Sequence, residues 1–242
     1  MLENLIDSDS SAIQSNQFII VDGKDIALID PGGNITYNGI FFEIHRLFSN
    51  GTVKYILASH ADPDIIASLN KWLIQTQAKL VISKLWARFV PHFCNKDIPK
   101  NRILQIPDQG LSVILGDSKI KAIPAHFLHS EGNFQFYDPV SKILFSGDMG
   151  ASMDDDADLT HPVTDFSSHI KTMESFHHRY MNSNKICRFW VTMVREMDVE
   201  MIVPQHGRYF KGKKMINEFL DWIEQLECGV DLMKQSHYRE PD

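Results

Sequence analysis

The sequence predicts an α/β protein in which two β-sheets pack face to face with helices on the outside. Three observations predict it. Short apolar runs bounded by turn residues recur in both halves of the chain, helical periodicities are interleaved with them, and a β-rich half with a helix precedes a β-rich half with helices. The chain has 242 residues and 43% hydrophobic content, enough to bury a full core. No repeat, linker or compositional break divides it, so a single domain over residues 1–242 is expected.

The elements follow in order. QFIIVDGKDIALID places two apolar runs around Asp22-Gly23, a dipeptide that tight hairpin turns favour. Pro31-Gly32-Gly33 stops the second strand, and Phe41, Ile44, Leu47 and Phe48 recur at helical spacing. VKYILAS is a strand that ends at His60, and Ile65, Ile66, Leu69, Trp72 and Leu73 mark a helix after it. A short strand around Lys79 to Ile82 and a helix through Trp86 and Val90 come next. Strands are then expected near Ile103 to Ile106, Leu111 to Leu115 and Lys119 to Ile123. NFQFYDPVSKILFSGD alternates apolar and polar residues about a turn at Asp138-Pro139, a second hairpin. Helical patterns run from His169 to Met181, from Asn184 to Met197 and from Lys213 to Glu227, with the apolar run MIVP before the last of them.

Charge and composition exclude several functions. A net charge of −7 without a clustered basic face argues against nucleic acid or an anionic membrane as the main partner. No apolar run reaches the roughly 20 residues that cross a bilayer, and the first residues lack a secretory pattern. A cytoplasmic protein is expected. Cys94, Cys187 and Cys228 are odd in number and far apart in sequence, which suits reduced, inert thiols rather than a disulfide framework or a thiolate zinc site.

The chemistry lies in dispersed histidines and aspartates: His60, Asp62 and Asp64 in SHADPD, His129 in FLHSEGN, Asp148 in LFSGDMG and His206 in VPQHGRYF. His60, Asp62 and Asp64 stand at i, i+2 and i+4, so one short loop offers three ligands. A lone aspartate in a loop is ordinarily a solvated turn former. Here the pattern of strand then ligand recurs at Asp148 and His206, and a carboxylate between two cations can bridge them. Three imidazoles and three carboxylates suit a pair of first-row metals, iron or manganese in particular.

These segments carry a family resemblance. SHADPD resembles the HxHxDH signature of the metallo-β-lactamase fold, and IALIDPGG, LFSGD and VPQHG are similar to its other landmarks in the same order, from about Phe18 to Phe210. A carboxylate at the second position is similar to the HxExD pattern of flavodiiron proteins and of oxygen-binding diiron proteins without a flavodoxin domain. The resemblance implies an αββα sandwich of two mixed sheets with a diiron site at the sheet edge. One iron would be held by His60, Asp62 and His129, the other by Asp64 and His206, with Asp148 bridging. Two departures stand out: Asp62 replaces the usual Glu, and Ile65 occupies the place of the final His.

The resemblance further implies a protein that binds dioxygen or nitric oxide, either as a sensor or carrier or as a reductase. Two irons are the cofactors implied, with zinc or manganese as alternatives and no flavin in cis. An external flavoprotein or rubredoxin would serve a reductase and a signalling partner would serve a sensor; self-association as a homodimer is compatible with both. A zinc hydrolase acting on a thioester, lactone or lactam is the alternative function. His126 offers the same chemistry as His129, and the place of HSEGN in the family segment selects His129. His177 and His178 lie on a helix, as an orienting partner for the site or as amphipathic surface. The run from Asp154 to Asp158 reads as a solvated acidic loop bordering the site, and Lys211, Lys213 and Lys214 as a solvated helix start.

Overall fold

The structure is a computed structural model that describes residues 1–2, 14–95, 98–153 and 160–241. The first half runs β1 (Phe18–Asp22), β2 (Asp25–Ile29), α1 (Tyr37–Leu47), β3 (Thr52–Leu57), α2 (Pro63–Ile66), α3 (Leu69–Gln75), β4 (Lys79–Ser83), α4 (Lys84–Ala87), α5 (Val90–Phe93) and β5 (Ile103–Ile106). The second half runs β6 (Leu111–Leu115), β7 (Ser118–Pro124), β8 (Phe134–Asp138), β9 (Ile143–Gly147), α6 (Phe166–Tyr180), α7 (Asn184–Arg195), β10 (Met201–Pro204), β11 (Phe210–Lys211) and α8 (Lys213–Gln225). The acidic run from Asp154 to Asp158 lies outside the described residues.

The strands form two mixed sheets, ordered β1-β2-β3-β4-β5 and β11-β10-β9-β8-β7-β6. Period-2 alternation splits each strand between two cores. Ala27 and Ile29 of β2, Leu57 of β3 and Val81 of β4 face Phe134, Phe136, Phe145 and Val203 of the other sheet. Their neighbours Ile26, Leu28, Ile56 and Leu80 turn outward onto Ile40, Ile44 and Trp72 of the helices. On the far side, Leu144 and Ile202 pack under Trp190 of α7 and Phe219 of α8. The layers are therefore helix, sheet, sheet, helix. Strands buried on both faces read as near-continuous apolar runs, as ALI and YIL do.

The structure corrects several local expectations. The helix after His60 is two pieces, α2 and α3, broken at Ala67-Ser68, where Ser68 donates its backbone N–H to Gly32 O at 3.0 Å and its hydroxyl to Pro31 O at 2.7 Å. The pattern through Trp86 and Val90 also divides, into α4 and α5, with Pro91 in the first turn of the second. Lys211 pairs with Met201 in β11 rather than opening the last helix. Cys187 and Cys228, distant in sequence, bring their sulfurs to 3.8 Å as buried free thiols. Among the described residues, no helix is long and apolar enough to cross a membrane.

Topology gathers the site loops. β2, β3 and β4 run parallel, so their C-terminal ends share one edge. β9 and β10 also run parallel, and β7 takes the same sense because β8 opposes both β7 and β9. A backbone bond from Phe134 N to Ser59 O, at 3.0 Å, ties the two sheets together at that edge.

The outer helical core gives a stability test. The Phe219 ring stacks on Phe210 at 4.4 Å and both are fully buried. Phe219→Ala is expected to cost about 3–5 kcal/mol in urea unfolding through the cavity it leaves. Phe42→Ala, at a position 68% exposed, should stay within about 0.5 kcal/mol.

Candidate metal centre

Every predicted site residue leaves the C-terminal end of a strand or the helix start just after one. His60 follows β3, Asp62 caps α2 and Asp64 lies in its first turn, His129 sits between β7 and β8, Asp148 follows β9 and His206 follows β10. Glycines shape two of these exits. Gly147 has φ +56°, which turns the chain so that Asp148 faces the edge. Gly207 has φ +80°, and a Cβ there would collide with the Ser152 hydroxyl.

Asp148 is the centre of the cluster, 4% exposed. Its Oδ2 lies 2.8 Å from His129 Nε2 and 3.2 Å from His60 Nε2, while its Oδ1 faces His206 Nε2 at 3.6 Å. Asp62 Oδ2 lies 3.3 Å from His129 Nε2 and 3.7 Å from His60 Nε2. Asp64 Oδ2 lies 3.3 Å from His206 Nε2. The ligand atoms of His60, Asp62, His129 and Asp148 all fall within 4.8 Å of one another. Asp64 and His206 form a second group on the other oxygen of Asp148. The shorter reach of Asp62, relative to Glu, still brings its carboxylate to both imidazoles.

A layer behind these residues fixes two imidazoles. Asp30, at φ +53° and 2% exposed, accepts from Ser59 N at 2.8 Å and from Ser59 Oγ at 3.0 Å. With that hydroxyl proton given to Asp30, Ser59 Oγ accepts from His60 Nδ1 at 2.9 Å. His206 Nδ1 likewise donates to the Gln14 carbonyl at 2.7 Å. In each neutral ring the proton sits on Nδ1 and the Nε2 lone pair points into the cluster, the tautomer a metal requires. Neither Asp30 nor Ser59 is singled out by the sequence; the signal available for them is their place at strand ends, in the landmark IALIDPGG and directly before His60.

The electrostatics are those of a cage built for cations. Burial alone would raise the Asp148 carboxyl, yet the adjacent His129, His60 and His206 hold it well below the usual carboxylate range. Burial pulls His129 down, but Asp148 and Asp62 push it up further, to about 10. His60 and His206 are raised by the same balance of burial against neighbouring carboxylates. Asp30 is pushed up to about 6, by burial first. Among the described residues, His60 Nε2 and Asp148 Oδ1 are buried without a hydrogen-bond partner, which is costly for polar atoms and which a bound ion would relieve. The donor set therefore fits metal.

The remaining candidates fall elsewhere. His126 bonds through Nε2 to the Asp108 carbonyl at 2.9 Å and stands outside the cluster. His177 is not surface: fully buried, it donates to Met173 O and accepts from Gly150 N at 3.0 Å, bracing the turn after Asp148. Burial pushes it down to about 4, so it stays neutral. His178 is half-buried on the same helix. Ile65 is fully buried and offers no donor. A cavity of about 510 Å³ opens over the cluster, lined by Asp62, Asp64, His129, Phe176, Tyr180 and His206 among others. Tyr180 and Phe176 stack at 4.6 Å and pack their rings beside His129.

The family described as "ODP family beta lactamase" matches residues 13–207. The chain belongs to this family. Two structures of ODP family members are similar to it over nearly their whole lengths. One, described as the peroxy diiron species of chemotaxis sensor ODP, is 41% identical over 94% of this chain and 92% of its own, with a TM-score of 0.84. The other, the apo state of chemotaxis sensor ODP from T. denticola, is 43% identical over 92% of this chain and 89% of its own, with a TM-score of 0.84. The rubredoxin oxygen:oxidoreductase of Desulfovibrio gigas shares the fold, at 18% identity over 88% of this chain and 54% of its own and a TM-score of 0.70. Among curated proteins, an uncharacterized protein of Methanocaldococcus jannaschii is 24% identical over 85% of this chain. The chain spans about half the length of that relative, 51%. The metallo-β-lactamase-like architecture expected from the sequence is thus the fold of the ODP family.

Two measurements test this geometry. Ser59→Ala removes the acceptor for His60 Nδ1 and should weaken metal affinity about 10- to 100-fold in a metal titration, with an unchanged circular dichroism spectrum. The second concerns pH. His129 has its folded-state pKa raised from 6.5 to about 10, so its contribution in metal-free protein is fully present below about 6.5 and lost as pH rises toward 10. The melting temperature of chelator-treated protein should fall across that window, and His129→Gln should flatten the slope.

Proposed function

We propose that the chain is a binuclear iron protein that senses dioxygen. One iron would be held by His60, Asp62 and His129, the other by Asp64 and His206, with the Asp148 carboxylate shared between them. The observation that carries this reading is the two-sided placement of Asp148, with Oδ2 toward His60 and His129 and Oδ1 toward His206. A carboxylate so placed serves two cations at once, and carboxylate with imidazole suits iron. Identity of 41% and 43% to structures of a chemotaxis sensor, one of them named as a diiron species, supports the same cofactor and role.

A bound ferrous pair would supply open coordination positions and reducing electrons for dioxygen. The protein's own residues set the terms. Asp148 remains ionised and holds positive charge at the sheet edge. Ser59 and the Gln14 carbonyl keep the His60 and His206 lone pairs aimed inward. Ile65, at the place of an imidazole in the HxHxDH pattern, leaves the Asp64 and His206 side with fewer protein donors. Phe176 and Tyr180 make one wall of the cavity apolar, which limits water beside the cluster. The reductase reading has less support, because similarity to the D. gigas oxidoreductase, at 18% identity, extends to the fold alone.

Anaerobic loading with ferrous salt, followed by elemental analysis and absorbance before and after oxygen, tests the proposal. About two irons per chain and a long-lived oxygen-dependent spectrum are expected. Asp148→Ala should lose both metals, whereas His126→Ala should keep most of them. Equal loss in the two variants refutes the ligand assignment. Rapid turnover with reduced rubredoxin or flavodoxin would make the protein a reductase, and zinc content with thioester or lactone hydrolysis would make it a hydrolase.

A further inference from the structure

The loop from Ala125 to Asn133 has two faces. One carries His129 into the metal cluster. The other, through His126, Phe127 and Leu128, forms a wall of a separate groove of about 350 Å³, whose opposite wall is α7. There Ile186, Phe189, Trp190 and Met193 recur at i, i+3, i+4 and i+7, a single helical stripe. Phe127 is 42% exposed and Phe189 is 63% exposed. Two large aromatic side chains flanking one apolar groove in this way are what a docking surface offers to an anchoring side chain.

The loop is held as a unit. Phe127 N donates to Ser130 O at 2.7 Å, Leu128 N to Ala125 O at 3.0 Å and Ala125 N to Asn133 O at 3.0 Å, while the Asn133 side chain binds the Leu128 carbonyl. Phe127 sits at φ +66°, a strained conformation for an aromatic residue that persists only because its surroundings fix it. Its carbonyl also accepts from Asn182 N, at 3.3 Å, at the start of the α7 side of the groove. His129 and Phe127 thus stand two residues apart in one hydrogen-bonded loop.

Charge selects the occupant. α7 carries Lys185, Arg188 and Arg195 and no carboxylate, on a chain of net charge −7. Arg195 is paired with Asp221 and Glu224 of α8. Lys185 and Arg188 are exposed, and the Lys185 ammonium lies 5.9 Å over the Phe189 ring. Among the described residues, no carboxylate lines the groove. A second copy placed symmetrically on this surface would set these cations against themselves.

We propose that the groove docks an acidic segment of a partner protein that inserts a bulky apolar side chain between Phe127 and Phe189, and that the state of the metal centre sets its affinity through the Ala125 to Asn133 loop. The coupling rests on the oxygen-sensing reading; the docking does not. The test is selection of a random peptide library displayed on phage against the purified protein, with the Phe189→Ser variant as counter-selection. Enriched peptides are then measured by fluorescence anisotropy against wild type, Phe189→Ser and Lys185→Glu, each checked by circular dichroism.

Enriched peptides should be acidic and carry Leu, Phe or Trp, and both variants should bind them at least about tenfold more weakly. Iron-loaded protein before and after oxygen should differ in affinity by at least about threefold. Basic or uncharged winners, or binding indifferent to Phe189, would overturn the docking site. So would a dimer in light scattering that Phe189→Ser dissociates. An oxygen-dependent spectrum with unchanged peptide affinity would overturn the coupling. Selective binding in protein with no oxygen-dependent spectrum would instead count against the sensing reading and leave the docking site standing.

Discussion

A buried carboxylate surrounded by imidazoles is the constraint on which the rest of the structure depends. Asp148 is almost wholly removed from water and remains charged, a state that survives only where positive charge or metal answers it. His60, His129 and His206 provide that answer from three different loops. Two parallel sets of strands must therefore end at one edge, and the two sheets must be tied there. The Phe134 to Ser59 backbone bond and the positive-φ turn at Gly147 serve this requirement directly.

The second layer is as specific as the first. Asp30, Ser59 and the Gln14 carbonyl touch no candidate metal position, yet they decide which nitrogen of His60 and His206 carries the proton. His177 acts one step further out, through the Gly150 amide, on the turn that presents Asp148. Asp30, Ser59 and His177 are buried, so their hydrogen bonds are costly to lose and hold the cage in one geometry.

The proposed sensing role asks more of such a cage than binding does, because a change at the metals would have to reach a surface another protein can read. The fold places His129 and Phe127 two residues apart in one hydrogen-bonded loop, with the cluster on one side and the basic, apolar groove beside α7 on the other. The scaffold itself is shared with a rubredoxin oxygen:oxidoreductase at 18% identity, and function on a shared fold lies in such local features.

The sequence by itself determined the layers and the candidate donors. Period-2 and period-3.6 apolar patterns are local consequences of burial, so strands such as ALI and YIL, the helices α6, α7 and α8, and the strand-then-ligand segments ending in His60, Asp148 and His206 were legible without coordinates. What needed tertiary structure was everything set by contact between distant segments. The break between α2 and α3 follows from Ser68 bonding to Pro31 and Gly32, and the meeting of Cys187 with Cys228 from the packing of α7 against the chain after α8. His126 and His129 offer the same chemistry; the family segment pointed to His129, and the loop's fold sends His126 to the Asp108 carbonyl and His129 to Asp148. The roles of Asp30, Ser59 and His177 were likewise decided in three dimensions, since a hydrogen bond depends on where two groups meet and periodicity records only which face of an element is buried.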